Sequence, residues 1–100
     1  MVDFKVKVHR TYLKVTIQNL IMNSIKYSVQ NKPIIIKLGK IDKYIYITIS
    51  NNTVKKANKN TFSNNYGLSV VDDLVEKMSC RWILNQDNGI VTNRLFIPIR

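Results

Sequence analysis

Three short polar clusters in this chain carry side chains that could do chemistry. Asn19, Asn23 and Lys26 fall four and three residues apart, which at 100° per residue places them within about 60° on one edge of a helix. An Asn oxygen suits Mg²⁺, which prefers oxygen ligands and binds through one or two protein groups plus phosphates and water. Lys26 would then meet the phosphates as a point charge. On spacing alone the same trio also fits a plain solvated helix face, its commoner use. The second cluster, Ser50-Asn51-Asn52-Thr53, follows a strongly alternating run. An Asn amide there could both accept from and donate to an adenine edge, although Asn also ends strands because it tolerates turns. The third is Gly67, ahead of an apolar helical pattern, where a helix N-terminus offers unpaired amides to phosphate and Gly lets the backbone come close.

Composition narrows the setting for such sites. The chain has 100 residues, 45% of them hydrophobic, which suits one small packed domain over residues 1–100. Its 16 Lys and Arg against 6 Asp and Glu give a net charge of +10, which points to polyanionic partners: nucleic acid, acidic membrane or nucleotide phosphates. All of the excess lies in residues 1–60, since residues 61–100 are balanced. A single cysteine, Cys80, excludes an internal disulfide and a cysteine-rich zinc site, and His9 is the only histidine. The N-terminus alternates charge with apolar residues and has no signal-peptide core. No window approaches the roughly 18 apolar residues of a membrane span.

The elements that must position the clusters follow from periodicity. Phe4, Val6 and Val8 alternate with Lys5, Lys7 and His9, a first strand. Residues 11–28 lack Gly and Pro, and Leu13, Ile17, Leu20, Ile21 and Ser24 form one helical stripe. Residues 34–38 and 44–50 read as paired strands around a turn at 39–43, and the Asn- and Lys-rich stretch 51–65 reads as a loop. Leu68, Val71, Leu74, Val75 and Met78 predict a second helix over 66–79. Two strands, 81–84 and 91–99, then flank the turn Asp87-Asn88-Gly89. The order predicts an α+β two-layer sandwich, a mixed, mainly antiparallel sheet with both helices on one face.

Taken in order, these stretches resemble the ATP-binding domain of sensor histidine kinases, the Bergerat-fold (GHKL) ATPases related to gyrase and heat-shock protein 90. Asn19-Leu20-Ile21-Met22-Asn23-Ser24-Ile25-Lys26-Tyr27 is similar to the kinase N box, N-L-x-x-N-A-x-K-Y. Gly67-Leu68-Ser69-Val70-Val71 is similar to the G2 box and its helix. The likeness covers nearly the whole chain and is nearest the divergent peptide-receptor kinases of Gram-positive bacteria. Two departures stand out. Asn51-Asn52-Thr53-Val54-Lys55 replaces the G1 pattern D-x-G-x-G, and Asn65 replaces the first glycine of G2.

The resemblance implies ATP and Mg²⁺ as ligands, with Asn23 on the metal and Asn19 near the attacking group. It places Lys26 on a phosphate, Tyr27 beside base or ribose, Asn51 and Asn52 at the adenine, and Asn65, Tyr66, Gly67 and Leu68 at the phosphates. It implies a two-component phosphotransferase. The phosphoacceptor histidine sits on a separate dimerisation domain of the same or a partner chain, and a response regulator acts downstream. His9, on the expected first strand, is read as a structural or surface residue, so this domain alone should not autophosphorylate. The expected location is cytoplasmic, alone or as the cytosolic part of a membrane-bound sensor, without direct membrane contact. The rival readings are a degenerate, nucleotide-weak GHKL interaction module and an anti-sigma-type serine kinase. A basic nucleic-acid-binding domain ranks last, because the lysines lack the interleaved aromatics of a single-strand platform.

Overall fold

The computed structural model describes residues 5–53 and 68–99. Its elements are α1 (Arg10–Tyr27), β1 (Ile35–Ile41), β2 (Tyr44–Asn52), α2 (Leu68–Lys77), β3 (Arg81–Asp87) and β4 (Ile90–Pro98). The strands form one sheet in the order β1-β2-β4-β3, antiparallel at every pairing. α1 packs on α2 and on β2, and α2 on β3, so both helices lie over one face and the expected two-layer α+β arrangement holds.

Local chemistry accounts for the boundaries. α1 starts at His9, whose Nδ1 accepts from the Tyr12 N–H at 3.4 Å while its ring stacks on Tyr12 at 3.9 Å. His9 is therefore the cap of a helix and not part of a strand. The first strand expected at residues 4–8 reduces to one antiparallel bridge, Val6 to Ile99. Pro98 has no N–H to extend a ladder there, and the chain turns into α1 two residues after Val8.

α2 ends in a Schellman arrangement: Cys80 N–H donates to Val75 O and Ser79 N–H to Glu76 O, both at 3.0 Å. Ser79 holds the left-handed position at φ 57° that glycine usually fills. The β3–β4 hairpin closes through Asn88 and Gly89 at φ 51° and 76°, positive at both positions as a type I′ turn requires.

β1 runs through Gly39, which the sequence reading assigned to a turn; the turn is only Asp42-Lys43. The Tyr46 ring, on the paired strand, lies over Gly39 so closely that a Cβ would fall 2.3 Å from it. The ring covers the gap in the strand, so glycine is kept in a pleated position it would otherwise weaken. β3 likewise extends three residues beyond the expected Leu84, to Asp87.

The core is Leu20 from α1, Leu68, Val71 and Val75 from α2, and Ile49, Trp82, Val91, Leu95 and Ile97 from the sheet, joined by Met78 and Cys80. It lies over β2, β4 and β3. β1 packs chiefly on β2 and extends past the helices.

Candidate functional site

α1 is unusual in what it buries. Thr16, Leu20, Asn23 and Ser24 form its buried side, whereas Met22 and Ile25 are exposed. Thr16 is satisfied within the helix, its hydroxyl donating to the Tyr12 carbonyl at 2.7 Å. Asn23 is only 8% exposed, so the plain solvated-face explanation of the Asn19, Asn23, Lys26 trio fails at its central residue. Burying an amide carries a desolvation cost that a helix surface does not impose.

The trio is brought together. Asn19, Met22, Asn23, Ile25 and Lys26 line a groove of about 450 Å³ along α1. Asn23 is the buried member of this lining, and Met22, Ile25 and Lys26 are exposed beside it. The Lys26 Nζ stands 5.6 Å from the Tyr27 ring centroid, a cation–π pair that ties its stem to the helix end. Next to Asn23, the Ser24 hydroxyl is buried with no hydrogen-bond partner among the described residues.

The second cluster stands at the same end of the molecule, though outside the groove lining. β2 continues through Asn51 and Asn52, which the sequence reading placed in a loop. Val29 N–H donates to Asn52 O at 2.8 Å, lacing the segment after α1 to the end of β2. Thr53 N–H donates to Gly89 O at 2.7 Å, tying the same strand end to the β3–β4 turn. Asn51 lies on the helix-facing side at 3% exposure, and its Nδ2 donates to Asn52 O at 3.3 Å. Leu68 opens α2 with a side chain wholly inside the core, which leaves only its backbone to meet a ligand. Asn65, Tyr66 and Gly67 lie outside the described residues.

Two features escaped the sequence reading. Met22 and Ile25 interrupt the polar edge of α1, and that mismatch between residue type and face was the available signal. The buried bond from Trp82 Nε1 to Asn93 Oδ1, 3.1 Å, joins β3 to β4 on the helix-facing side and has no sequence signature.

Metal chemistry is constrained by the donor set. Among the described residues no three His, Cys, Asp or Glu side chains cluster to hold an ion. The α1 groove offers neutral amide oxygens and one ammonium, which fits an ion carried in by phosphates and not a free-standing metal site. Among the described residues no helix is long and apolar enough to cross a membrane.

No family model matches the sequence, and no curated protein matches it. Solved structures do match the fold. The catalytic domain of histidine kinase ThkA, in a nucleotide-free form, superposes with a TM-score of 0.82 at 20% identity, covering 96% of this chain and 72% of its own. Histidine kinase AdeS of Acinetobacter baumannii gives 0.76 at 17% identity, covering 91% of this chain and 47% of AdeS. The mycobacterial sensor histidine kinase MprB gives 0.74 at 14% identity, covering 97% and 78%. With a sheet and two helices arranged as in these domains, the chain has the fold of histidine-kinase catalytic domains.

Proposed function

We propose that this domain binds Mg-ATP and presents the γ-phosphoryl group to a histidine on a separate dimerisation domain, as the catalytic part of a cytoplasmic two-component kinase with a response regulator downstream. The observation that carries the proposal is the burial of Asn23 in a groove it shares with Asn19 and Lys26, in a fold of this kind. A buried amide and a lysine lining one groove suit a metal–phosphate ligand.

The chain's own residues do little covalent work in such a transfer, which depends on positioning and charge neutralisation. The histidine nitrogen attacks the γ-phosphorus, the bond to the bridging oxygen breaks, and ADP leaves. Asn23 would hold the phosphate-borne ion through its neutral amide oxygen. Lys26, in the groove lining, offsets phosphate charge. Asn19, one turn before Asn23, orients the approaching group. Asn51 and Asn52 receive the adenine edge, Tyr27 the base or ribose, and the backbone from Asn65 through Leu68 the phosphates. A bound Mg²⁺ would screen the negative charge that otherwise repels an incoming nucleophile.

Titration calorimetry with ATP, with and without Mg²⁺, tests the assignment. Asn23→Ala should remove most of the Mg²⁺-dependent part of the affinity and leave the metal-free part nearly intact. Wild-type affinity in that variant would remove Asn23 from the metal. A second reading, an interaction module with weak nucleotide binding, is favoured by the exposed Met22 and Ile25 and the strand-borne Asn51. It predicts a folded domain whose melting temperature does not respond to millimolar ATP.

A further inference from the structure

The edge strand β1 carries an unusual surface. Among the described residues β1 is an end strand of the sheet, paired with β2 on one side and with no further strand on the other. Large apolar side chains are exposed on both of its faces. Register with β2 puts Ile36 and Leu38 on the helix-facing side, opposite Ile49 and Ile47, and Ile35 and Ile41 on the outer side, opposite Ser50 and Tyr44. All four are exposed, Leu38 by 72%. A ligand lying on one face of the sheet would cover only one of these pairs. A further strand beside β1 would cover both, because its own side chains alternate between the same two faces, and would also pair with the backbone along that side.

Charge selects the kind of strand. Residues 32–43 carry Lys32, Lys37, Lys40 and Lys43 against the single acid Asp42. Lys37 stands on the outer row and Lys40 on the helix-facing row, one basic position per face. Two copies of this edge brought together would set like charges side by side, and edge lysines are a common device against self-pairing. An extended segment with apolar residues opposite the isoleucines and Leu38, and a carboxylate opposite each lysine, meets no such penalty.

We propose that β1 is a docking edge for an extended acidic-apolar segment of another protein, which joins the sheet as a fifth strand, antiparallel to β1. Read across the antiparallel register, the matching heptapeptide is Val-Glu-Thr-Val-Glu-Val-Val, with Thr over Gly39 and the two Glu over Lys40 and Lys37.

The test titrates that acetylated, amidated peptide, fluorescently labelled, into the whole chain by anisotropy, and maps amide hydrogen exchange with and without it. Saturable binding with slowed exchange confined to β1 is expected. Replacing both Glu by Lys in the peptide should weaken binding about tenfold, and Lys37→Glu in the protein should act in the same direction. Leu38→Ser, at an exposed site, should weaken binding while leaving the melting curve unchanged, which separates docking from folding. Equal affinity for the lysine peptide overturns the proposal. So does protection outside β1, no binding at millimolar peptide, or a protein dimer in sedimentation whose β1 amides are protected without peptide.

Discussion

Asn51→Asp probes the adenine assignment most directly. Asn51 is nearly buried at the end of β2, with its Nδ2 donating to Asn52 O at 3.3 Å. If its Oδ1 accepts from the adenine amino group, that bond is neutral and contributes about 0.5–1.5 kcal/mol; the same bond to a carboxylate contributes about 1.5–3 kcal/mol. The exchange should therefore tighten ATP by about 1–1.5 kcal/mol, about five- to thirteenfold. It should also act in opposite senses on ATP and GTP. An amide can turn to donate to the guanine O6, whereas a carboxylate only accepts and is repelled by it. The free protein should be weakened, because the new carboxylate faces the Asn52 carbonyl without a hydrogen to donate, a loss of about 1–3 kcal/mol. That loss should shrink at acid pH, where a protonated carboxyl donates again. Calorimetry with both nucleotides and urea unfolding at neutral and acid pH measure all three effects. Parallel changes in ATP and GTP affinity, or weaker ATP binding, would refute the placement of adenine at Asn51.

Ser24→Ala removes a buried hydroxyl that has no hydrogen-bond partner among the described residues and should raise unfolding free energy by about 1 kcal/mol in urea titration. If it also weakens ATP, the hydroxyl serves the ligand. Ser79→Gly relieves a side chain at φ 57° in the α2 C-cap and should stabilise by about 1 kcal/mol, with no change in nucleotide binding. Burial pushes the Cys80 thiol up. The folded state therefore keeps its proton to higher pH than the unfolded chain. Stability from this group is complete below the unfolded thiol's range and falls as pH rises above about 8.5. Comparing urea midpoints at neutral and alkaline pH, Cys80→Ala should lose this alkaline decline.

Much of the fold was legible because local signals agreed with each other. The 3.6-residue pattern marked both helices, and Asn88-Gly89 marked a hairpin whose two positive φ angles these residues suit. Reading failed where a long-range contact overrode the local signal. Gly39 belongs to a strand because Tyr46, seven residues away, lies over it. Val6 and Val8 have strand periodicity, but Pro98 offers no ladder and His9 begins a helix. In the site, spacing set Asn19, Asn23 and Lys26 on one edge of a helix, and the three line one groove. Spacing could not tell that Asn23 is buried, because the packing of α1 on α2 and β2 decides that. The end of β2 was misplaced for a related reason. Asn51 and Asn52 are poor strand formers held in place by pairing with Val91 and Ile90 and by the bond from Val29.

The positive charge of the chain also gains a location. Basic residues on a surface that is merely solvated would be scattered among acids, and Lys77, Arg81, Arg94 and Arg100 follow that balance against Asp72, Asp73, Glu76 and Asp87. The excess instead includes Lys26, in the lining of the α1 groove, and four lysines within residues 32–43, around β1. Both places pair cations with exposed apolar residues: Met22 and Ile25 at the groove, Ile35, Ile36, Leu38 and Ile41 at the edge. A field alone would attract any polyanion and would weaken steeply with salt. Apolar surface beside the charge adds a contribution that salt does not screen. If both sites act as proposed, raising ionic strength should weaken the heptapeptide and ATP far less than it weakens non-specific binding to duplex DNA. Equal salt slopes for all three ligands would reduce both sites to undirected electrostatics.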